Sequence, residues 1–200
     1  MGGIACLTGA RCPPFFLVSG MKTAIILFMS LMPQDTLCNW DIAWAAESLY
    51  RPFVIYDPSY KNIDFPNGDV DNRRGVCTDV VIRTLRKVGI DLQVEIYKHR
   101  KSLGKPTDTN IDHRRVPNIC AYLKDSPNWE IVDEALPGDV IWWLLPSGRN
   151  HIGVVTSSGR VMHNYGTGQR ADVWPESFTI KHIYRHKCHG TNEENMGIHR

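Results

Sequence analysis

The segment from Arg74 to Arg83 constrains the fold most, because a glycine turn there leads directly into a helix whose first turn holds a cysteine. Apolar side chains recur at helical spacing from Cys77 to Val88, which predicts one face packed against a core. Gly89 then ends the helix, after two cations that complement the negative end of its dipole. The segment therefore predicts a buried helix with Cys77 near its N-terminus.

Cys77 has two interpretations at this position. The positive end of a helix dipole lowers the pKa of a thiol below its free value of about 8.5, which would make a thiolate nucleophile available near neutral pH. Cysteine is also among the most buried residue types, so a lone cysteine on an apolar face is more often part of a core. The segment alone favours the core interpretation, and residues further along the chain shift the balance.

Composition argues against a nucleic-acid partner and says little else. The chain has 42% hydrophobic and 22% charged residues, as ordinary globular proteins do. Its net charge of +2 is small, and no run of Lys and Arg alternates with aromatic residues as a phosphate-tracking surface requires. We therefore expect no nucleic acid among its partners.

The N-terminal part of the chain predicts export. A basic start at Met21 and an uncharged apolar run from Thr23 to Met32 are typical of a secretory signal peptide, and the run is too short to span a membrane. The stretch from Ala43 to Ala46 offers cleavage after Ala45 or Ala46. We expect Met21 to be the true start, a periplasmic or secreted protein, and no other membrane contact. The alternative is a helix packed on the domain.

Export makes cysteine pairing relevant. Cleavage of the signal peptide would remove three cysteines: Cys6, Cys12 and Cys38. The mature chain would keep Cys77, Cys120 and Cys188. Because three is an odd number, at least one of them would be a free thiol. A bridge between Cys120 and Cys188 would leave Cys77 reduced. The sequence leaves this connectivity open.

Helices are expected first and strands afterwards. A short helix is predicted from Val116 to Lys124, whereas Gly89 to Tyr97 fits either a short strand or a second helix. Apolar runs separated by turns then predict an antiparallel meander, with strands at 140–145, 151–155, 161–165 and 178–184. The predicted class is α+β, organised as a signal peptide (1–46), a domain (47–186) and a polar tail (187–200).

Two histidines lie on the predicted hairpin at a spacing that suits catalysis by Cys77. His151 begins one strand and His163 lies on the return strand, with the turn near Ser157 to Gly159. Such a hairpin brings the two residues roughly opposite each other, and cross-strand Cβ atoms about 4.5–5.5 Å apart allow a hydrogen bond between the rings. A cysteine nucleophile needs a base and a group that orients the base, so the three residues together favour catalysis.

The same motifs resemble known bacterial proteins. Pro137-Gly-Asp before an apolar strand, His151-Ile-Gly-Val-Val and the second histidine are similar to the NlpC-type cysteine peptidases of cell walls. Closer still, Arg74-Gly-Val-Cys-Thr-Asp-Val-Val-Ile-Arg and Asp108-Thr-Asn-Ile-Asp-His-Arg-Arg look like a usually exported family catalogued as domain of unknown function 1287. The resemblance covers about residues 50–186. It implies a papain-like (NlpC-like) α+β fold, with N-terminal helices packed on an antiparallel meander.

The resemblance also implies roles for individual residues. Cys77 would be the nucleophile, His151 the general base and acid, and His163 the residue that orients His151. Asn164 is the alternative for the third role, because adjacent strand residues face opposite sides of a sheet. Backbone N–H groups at the start of the Cys77 helix would hold the oxyanion, with Tyr56 as a candidate side chain. The NlpC motif Asp-Cys-Ser-Gly is Val-Cys-Thr-Asp here, so substrate contacts beside the nucleophile need not match.

The polar segment from Asp108 to Asn118 has two interpretations. Its charged residues would fix the carboxylates and amine of a peptidoglycan peptide, or they would cap and salt-bridge the segment against the domain; the candidates are Asp108, Asp112, His113 and Arg114. Asp79 is expected to favour the helix N-terminus electrostatically.

We therefore expect a secreted cysteine hydrolase that cleaves an amide bond in peptidoglycan peptides through an acyl-enzyme, without a cofactor or metal ion. One alternative is an acyltransferase of the same fold, in which an amine takes the acyl group. Another is a non-catalytic module that binds the cell wall. A zinc site built from Cys77, His151 and His163 is a further alternative, which metal analysis would reveal.

Overall fold

Four α-helices pack on a six-stranded antiparallel sheet in the part of the chain that this computed structural model describes, residues 34–175 and 177–187. The predicted α+β class is confirmed. The helices are α1 (Gln34–Glu47), α2 (Cys77–Lys87), α3 (Leu92–Ser102) and α4 (Val116–Asp125), with a 3₁₀ turn at Asp112–Arg114. The segment that fitted either a strand or a helix forms α3, whose N-terminus is capped by the Asp91 carboxylate accepting from Gln93 N.

The sheet contains all four predicted strands and two further ones, but the last predicted strand does not continue the meander. Its strands are β3 (Trp129–Val132), β4 (Val140–Leu144), β5 (Asn150–Val155), β6 (Val161–Asn164), β7 (Gln169–Asp172) and β8 (Thr179–His186). Their order is β3-β8-β4-β5-β6-β7, so β4 to β7 form the meander and β8 returns to lie between β3 and β4. A separate pair, β1 (Ile55–Tyr56) and β2 (Arg74–Gly75), is parallel and leads into α2.

The two faces of the sheet bury different apolar clusters. The helix-side core joins α2 and its neighbours to one face of the sheet, and includes Val80, Ile152 and Met162. The outer core lies on the opposite face and includes Trp143 and Val155. This alternation along β5 follows from the two-residue period of a strand. This alternation determines which side chains of β5 and β6 point towards α2.

Helix α1 belongs to the folded unit, although the predicted domain starts only at residue 47. Ile42, Ala43 and Ala46 are fully buried, and the absence of a side chain at Gly138 allows that turn to approach the α1 backbone closely. Gly138 has a φ of 92°, and a Cβ there would collide with the carbonyl of Asn39. Cleavage after Ala45 or Ala46 would remove Ile42 and Ala43 from the core, so this helix fits the packed-helix alternative.

Other predictions about the termini are not tested. The apolar run at residues 23–32, the start at Met21 and the tail beyond residue 187 lie outside the described residues. Among the described residues, no helix combines the length and the hydrophobicity needed to cross a bilayer. Export and localisation stay predictions.

The sequence left a bridge between Cys120 and Cys188 open, and the structure does not form it. Cys120 is a free, buried thiol, as is Cys77, so no bridge joins Cys120 to Cys188. Cys38 on α1, which was expected to leave with the signal peptide, is disulfide-bonded.

Candidate active site

Cys77 is the first residue of α2, and its side chain lies against the sheet. The residue is 5% exposed and belongs to the helix-side core together with Val80 and Ile152. The backbone N–H groups of Ile152 on β5, Thr78 and Cys77 itself lie near enough to the sulfur to lower the pKa of the thiol.

Burial outweighs the helix terminus in setting the acidity of Cys77. Loss of solvent raises the pKa of the thiol to about 11, the charge of Asp79 adds to the rise, and the three backbone N–H groups only partly oppose it. The expectation of a lowered pKa is therefore wrong. Burying a thiolate in an apolar cluster costs more hydration free energy than the dipole of one helix N-terminus provides in stabilisation.

The two histidines form the hydrogen bond that the hairpin predicts. His151 Nε2 and His163 Nδ1 are 2.7 Å apart, and both side chains are buried. Burial, with a smaller contribution from the neighbouring His163, lowers the pKa of His151 to about 3. Both imidazoles are therefore neutral near pH 7, with one nitrogen donating to the other.

A carboxylate that no sequence pattern singled out lies beside the histidine pair. His163 Nε2 lies 3.4 Å from Asp172 Oδ2, an ion-pair distance without the geometry of a hydrogen bond. Asp172 is on β7 and half-exposed. Its charge opposes the lowering of the His163 pKa that burial causes. Since β7 was not predicted as a strand, no spacing in the sequence singled out this residue.

Aromatic rings surround His151 on three sides. The ring centroids of Trp143, Tyr165 and Phe178 lie 5.9, 5.4 and 6.3 Å from that of His151. Tyr165 is about half-exposed, so this aromatic wall forms the boundary between His151 and solvent. The wall keeps water from the imidazole, which is the physical cause of its low pKa.

The structure does not join Cys77 to the histidine pair. Trp143 lies directly opposite His151 in the β4–β5 register, which places the His151 ring on the outer-core face. Ile152, the next residue, points into the helix-side core that holds the cysteine. Within the described residues, no hydrogen bond links the Cys77 sulfur to either ring. The sulfur meets β5 at the backbone of the residue after His151.

Asn164 and Tyr56 both lie near the start of α2, in different roles. Asn164 is fully buried; its Nδ2 donates to Gly75 O at 3.1 Å and its Oδ1 accepts from Gly166 N, so it holds the turn before the helix. Tyr56 is 43% exposed. Its phenol pKa is raised by partial burial and next by the charge of Cys77, so this ring is close enough to respond to the thiol electrostatically.

Arg114 ties the polar 3₁₀ turn to the start of α2. Its guanidinium forms two hydrogen bonds with the Asp79 carboxylate, at 2.8 and 2.9 Å, and both side chains are buried. The Thr78 hydroxyl donates to Arg114 O at 3.1 Å. Asp79 Oδ2 also accepts from Val76 N at 2.7 Å, so this carboxylate satisfies a free N–H at the helix terminus as well as balancing Arg114.

The acidic candidates of this segment are also engaged within the protein, and its histidine is buried. Asp112 accepts from Asp108 N at 2.7 Å and pairs with Arg100 at 3.0 Å. His113 is buried, which lowers its pKa to about 4. Asp108 accepts from the Tyr60 hydroxyl. These contacts favour the structural interpretation of the segment over a role in binding a charged peptide.

A metal centre finds no support in this geometry. In residues 34–175 and 177–187, no three or more His, Cys, Asp or Glu side chains converge in a way that could hold a metal ion. The zinc alternative built from Cys77, His151 and His163 is therefore not assembled.

Comparisons with known proteins identify a family without an assigned activity. The model of the family described as "Domain of unknown function (DUF1287)" matches residues 43–186. The chain is also 38% identical over 156 residues to the uncharacterized protein YijF of Escherichia coli (strain K12), an alignment that covers 68% of this chain and 76% of YijF. No solved structure matches at a significant level. The family match spans most of the chain, so the chain belongs to the DUF1287 family.

Proposed function

We propose that this protein is an exported cysteine hydrolase that cleaves an amide bond in peptidoglycan peptides. Cys77 is the nucleophile, His151 the general base and acid, and His163 the residue that orients His151. The observation that carries the proposal is the buried 2.7 Å hydrogen bond between the His151 and His163 rings. The residue after His151 on β5, Ile152, has its backbone N–H near enough to the Cys77 sulfur to lower the pKa of the thiol. A base held by a second polar group is what a cysteine nucleophile needs.

The order of the three residues along the chain adds support. A cysteine begins a helix, a histidine begins a strand packed on that helix, and a second histidine lies on the following strand. This is the arrangement of NlpC-type peptidases, and we propose the papain-like fold on that resemblance. The disulfide at Cys38 fits an oxidising compartment, as export requires.

The raised thiol pKa and the lowered imidazole pKa favour a neutral thiol–imidazole pair in the resting enzyme. The thiol proton then passes to His151 as the sulfur attacks the substrate carbonyl carbon. This step requires the sulfur and the ring, which lie towards opposite faces of the sheet in the free protein, to come within hydrogen-bond reach when substrate binds. The imidazolium returns the proton to the leaving amine, and water hydrolyses the thioester to release the acid and restore the thiol.

Backbone N–H groups at the start of α2 would stabilise the oxyanion. The N–H groups of Thr78 and Cys77 support this role, because they lie near enough to the sulfur to lower the pKa of the thiol. One such donor contributes roughly 3–4 kcal/mol to transition-state stabilisation in comparable enzymes. The exposed hydroxyl of Tyr56 is the side chain that could add to them.

The test is incubation of purified muropeptides with the wild type, Cys77→Ala and Cys120→Ala, with products identified by mass spectrometry. Cys120 is the matched control, because it is the other free, buried cysteine and belongs to the same helix-side core. We expect cleavage products with the wild type and Cys120→Ala, and none with Cys77→Ala. Equal activity in all three would end the assignment of Cys77. An added amine found in the product would identify the acyltransferase alternative.

One observation favours a second candidate, a non-catalytic module that binds the cell wall. Cys77 is buried in the helix-side core, and the histidine rings face the opposite side of the sheet. Wild-type protein that binds peptidoglycan but releases no products, and that binds equally well as Cys77→Ala, would establish this candidate in place of the hydrolase.

A further inference from the structure

A second concave site lies away from the cysteine and the histidines, beside the last turns of α2. It is a cavity of about 280 Å³, and its wall includes four cationic side chains from two segments of the chain: Arg51, Arg83, Arg86 and Lys87. The one carboxylate in the wall is Asp69. Four formal positive charges against one negative charge leave the cavity strongly electropositive in a protein whose total net charge is only +2.

Part of the cavity wall is fixed by internal hydrogen bonds. The Arg83 guanidinium binds both oxygens of Asp69, at 2.9 and 3.0 Å, and donates to Gln169 Oε1 at 2.9 Å. Arg86 reaches the same carboxylate at 3.4 Å and donates to Gly68 O. Asp69 therefore neutralises about one of these two arginines, and the guanidinium groups are held in place before any ligand arrives.

Two of the four cations, Arg51 and Lys87, are not paired with any described residue, and a third keeps one free donor. Arg51 is held through its backbone by two hydrogen bonds to Gln169, yet its guanidinium has no hydrogen bond or ion pair with the described part of the chain. The ammonium of Lys87, the last residue of α2, likewise has none there. Arg86 Nε is buried and has no hydrogen-bond partner among the residues described. These three groups converge on one small cavity with unused donors.

We propose that this cavity binds a small oxyanion, either a carboxylate or a phosphate group. Guanidinium groups present paired donors that match the geometry of both anions, and an ammonium adds a point charge. A volume of about 280 Å³ accepts a charged group rather than a whole drug-sized ligand. The anion would accept hydrogen bonds from the side chains of Arg51 and Lys87. It would thereby link the segment that precedes β1 to the end of α2.

The proposal is tested by thermal unfolding with inorganic phosphate, in chloride-balanced buffers of constant ionic strength. The double variant Arg51→Gln/Lys87→Gln removes the two unpaired cations. The matched control Lys105→Gln/Lys124→Gln removes the same charge from exposed positions outside the cavity. We expect saturating phosphate to raise the unfolding temperature of the wild type and the control by about 2 °C or more, and to leave the double variant unchanged.

Two further arms identify the anion. N-Acetylalanine carries a free carboxylate, and its amide is the neutral counterpart. Stabilisation by N-acetylalanine but not by the amide identifies a carboxylate ligand, whereas stabilisation by phosphate alone identifies a phosphate ligand. An equal response of all three proteins, or no response to either anion, overturns the proposal. Lys87→Gln alone, an exposed change at a helix end, gives a second variant if the double variant fails to fold. The readout does not depend on peptidoglycan cleavage.

Discussion

The two ionisable groups assigned to proton transfer are both neutral at rest, and this has consequences for the chemistry of Cys77. Burial raises the pKa of the thiol to about 11 and lowers that of His151 to about 3. An ion pair between thiolate and imidazolium would require the reverse order of the two pKa values. A nucleophile of this kind gains its reactivity only when a base receives the proton during attack, so the free protein should have an unreactive cysteine.

Alkylation of the free protein measures this directly. We expect the rate of reaction of Cys77 with iodoacetamide to rise about tenfold per pH unit between pH 7 and pH 9, because the thiolate fraction grows in that proportion below the pKa. Peptide mapping separates Cys77 from Cys120, whose pKa burial raises to about 12 and which should label still more slowly. A rate for Cys77 that is already constant from pH 6 upwards would show a preformed thiolate and contradict this order of pKa values.

At the scale of elements, the start of α2 depends on a segment that is distant in sequence. The 3₁₀ turn at Asp112–Arg114 contributes the guanidinium that balances Asp79, and Asp79 in turn accepts the N–H of Val76 just before the helix. Asn164 on β6 holds Gly75 from the other side. The position of Cys77 is therefore fixed by contacts with two other elements as well as by its own helix.

Replacing Arg114 by Met should destabilise the protein by about 3–5 kcal/mol, because Asp79 would be left as a buried, unpaired charge. Arg115→Met is the matched control, since Arg115 is the exposed neighbour and has the same chemistry. Urea unfolding of both variants gives the comparison. Similar stabilities for the two would mean that the Asp79 pair is not the contact that secures the start of α2.

Local signals in the sequence predicted individual elements and one contact across a hairpin. The helical spacing after Cys77 predicted α2, and the spacing of His151 and His163 around a hairpin turn predicted their hydrogen bond, because both depend on residues close in the chain. Burial of the sulfur depends on how α2 packs on β5, which no local pattern encodes. The alanines at 43, 45 and 46 fit both a signal-peptide cleavage site and a closely packed helix. The sequence alone therefore predicts a signal peptide where the structure has α1.

At the scale of the whole molecule, the fold buries three histidines whose protonation opposes folding. The pKa of His151 is lowered to about 3, that of His113 to about 4, and that of His163 is lowered as well, in each case mainly by burial. In the unfolded chain the same groups titrate near 6.5. Below that pH the unfolded chain binds more protons than the folded protein does, so stability falls as the pH falls.

The resulting prediction is a loss of unfolding free energy between pH 6.5 and pH 4, with full stability only above pH 6.5. One buried histidine contributes at most about 1.4 kcal/mol per pH unit to this slope. His151→Phe removes one titrating group and keeps an aromatic ring beside Trp143 and Phe178, so its slope should be shallower. Urea unfolding at a series of pH values measures both proteins. A His151→Phe slope as steep as that of the wild type would show that this imidazole already accepts a proton in the folded state. The neutral resting pair inferred for catalysis would then be replaced by a charged one.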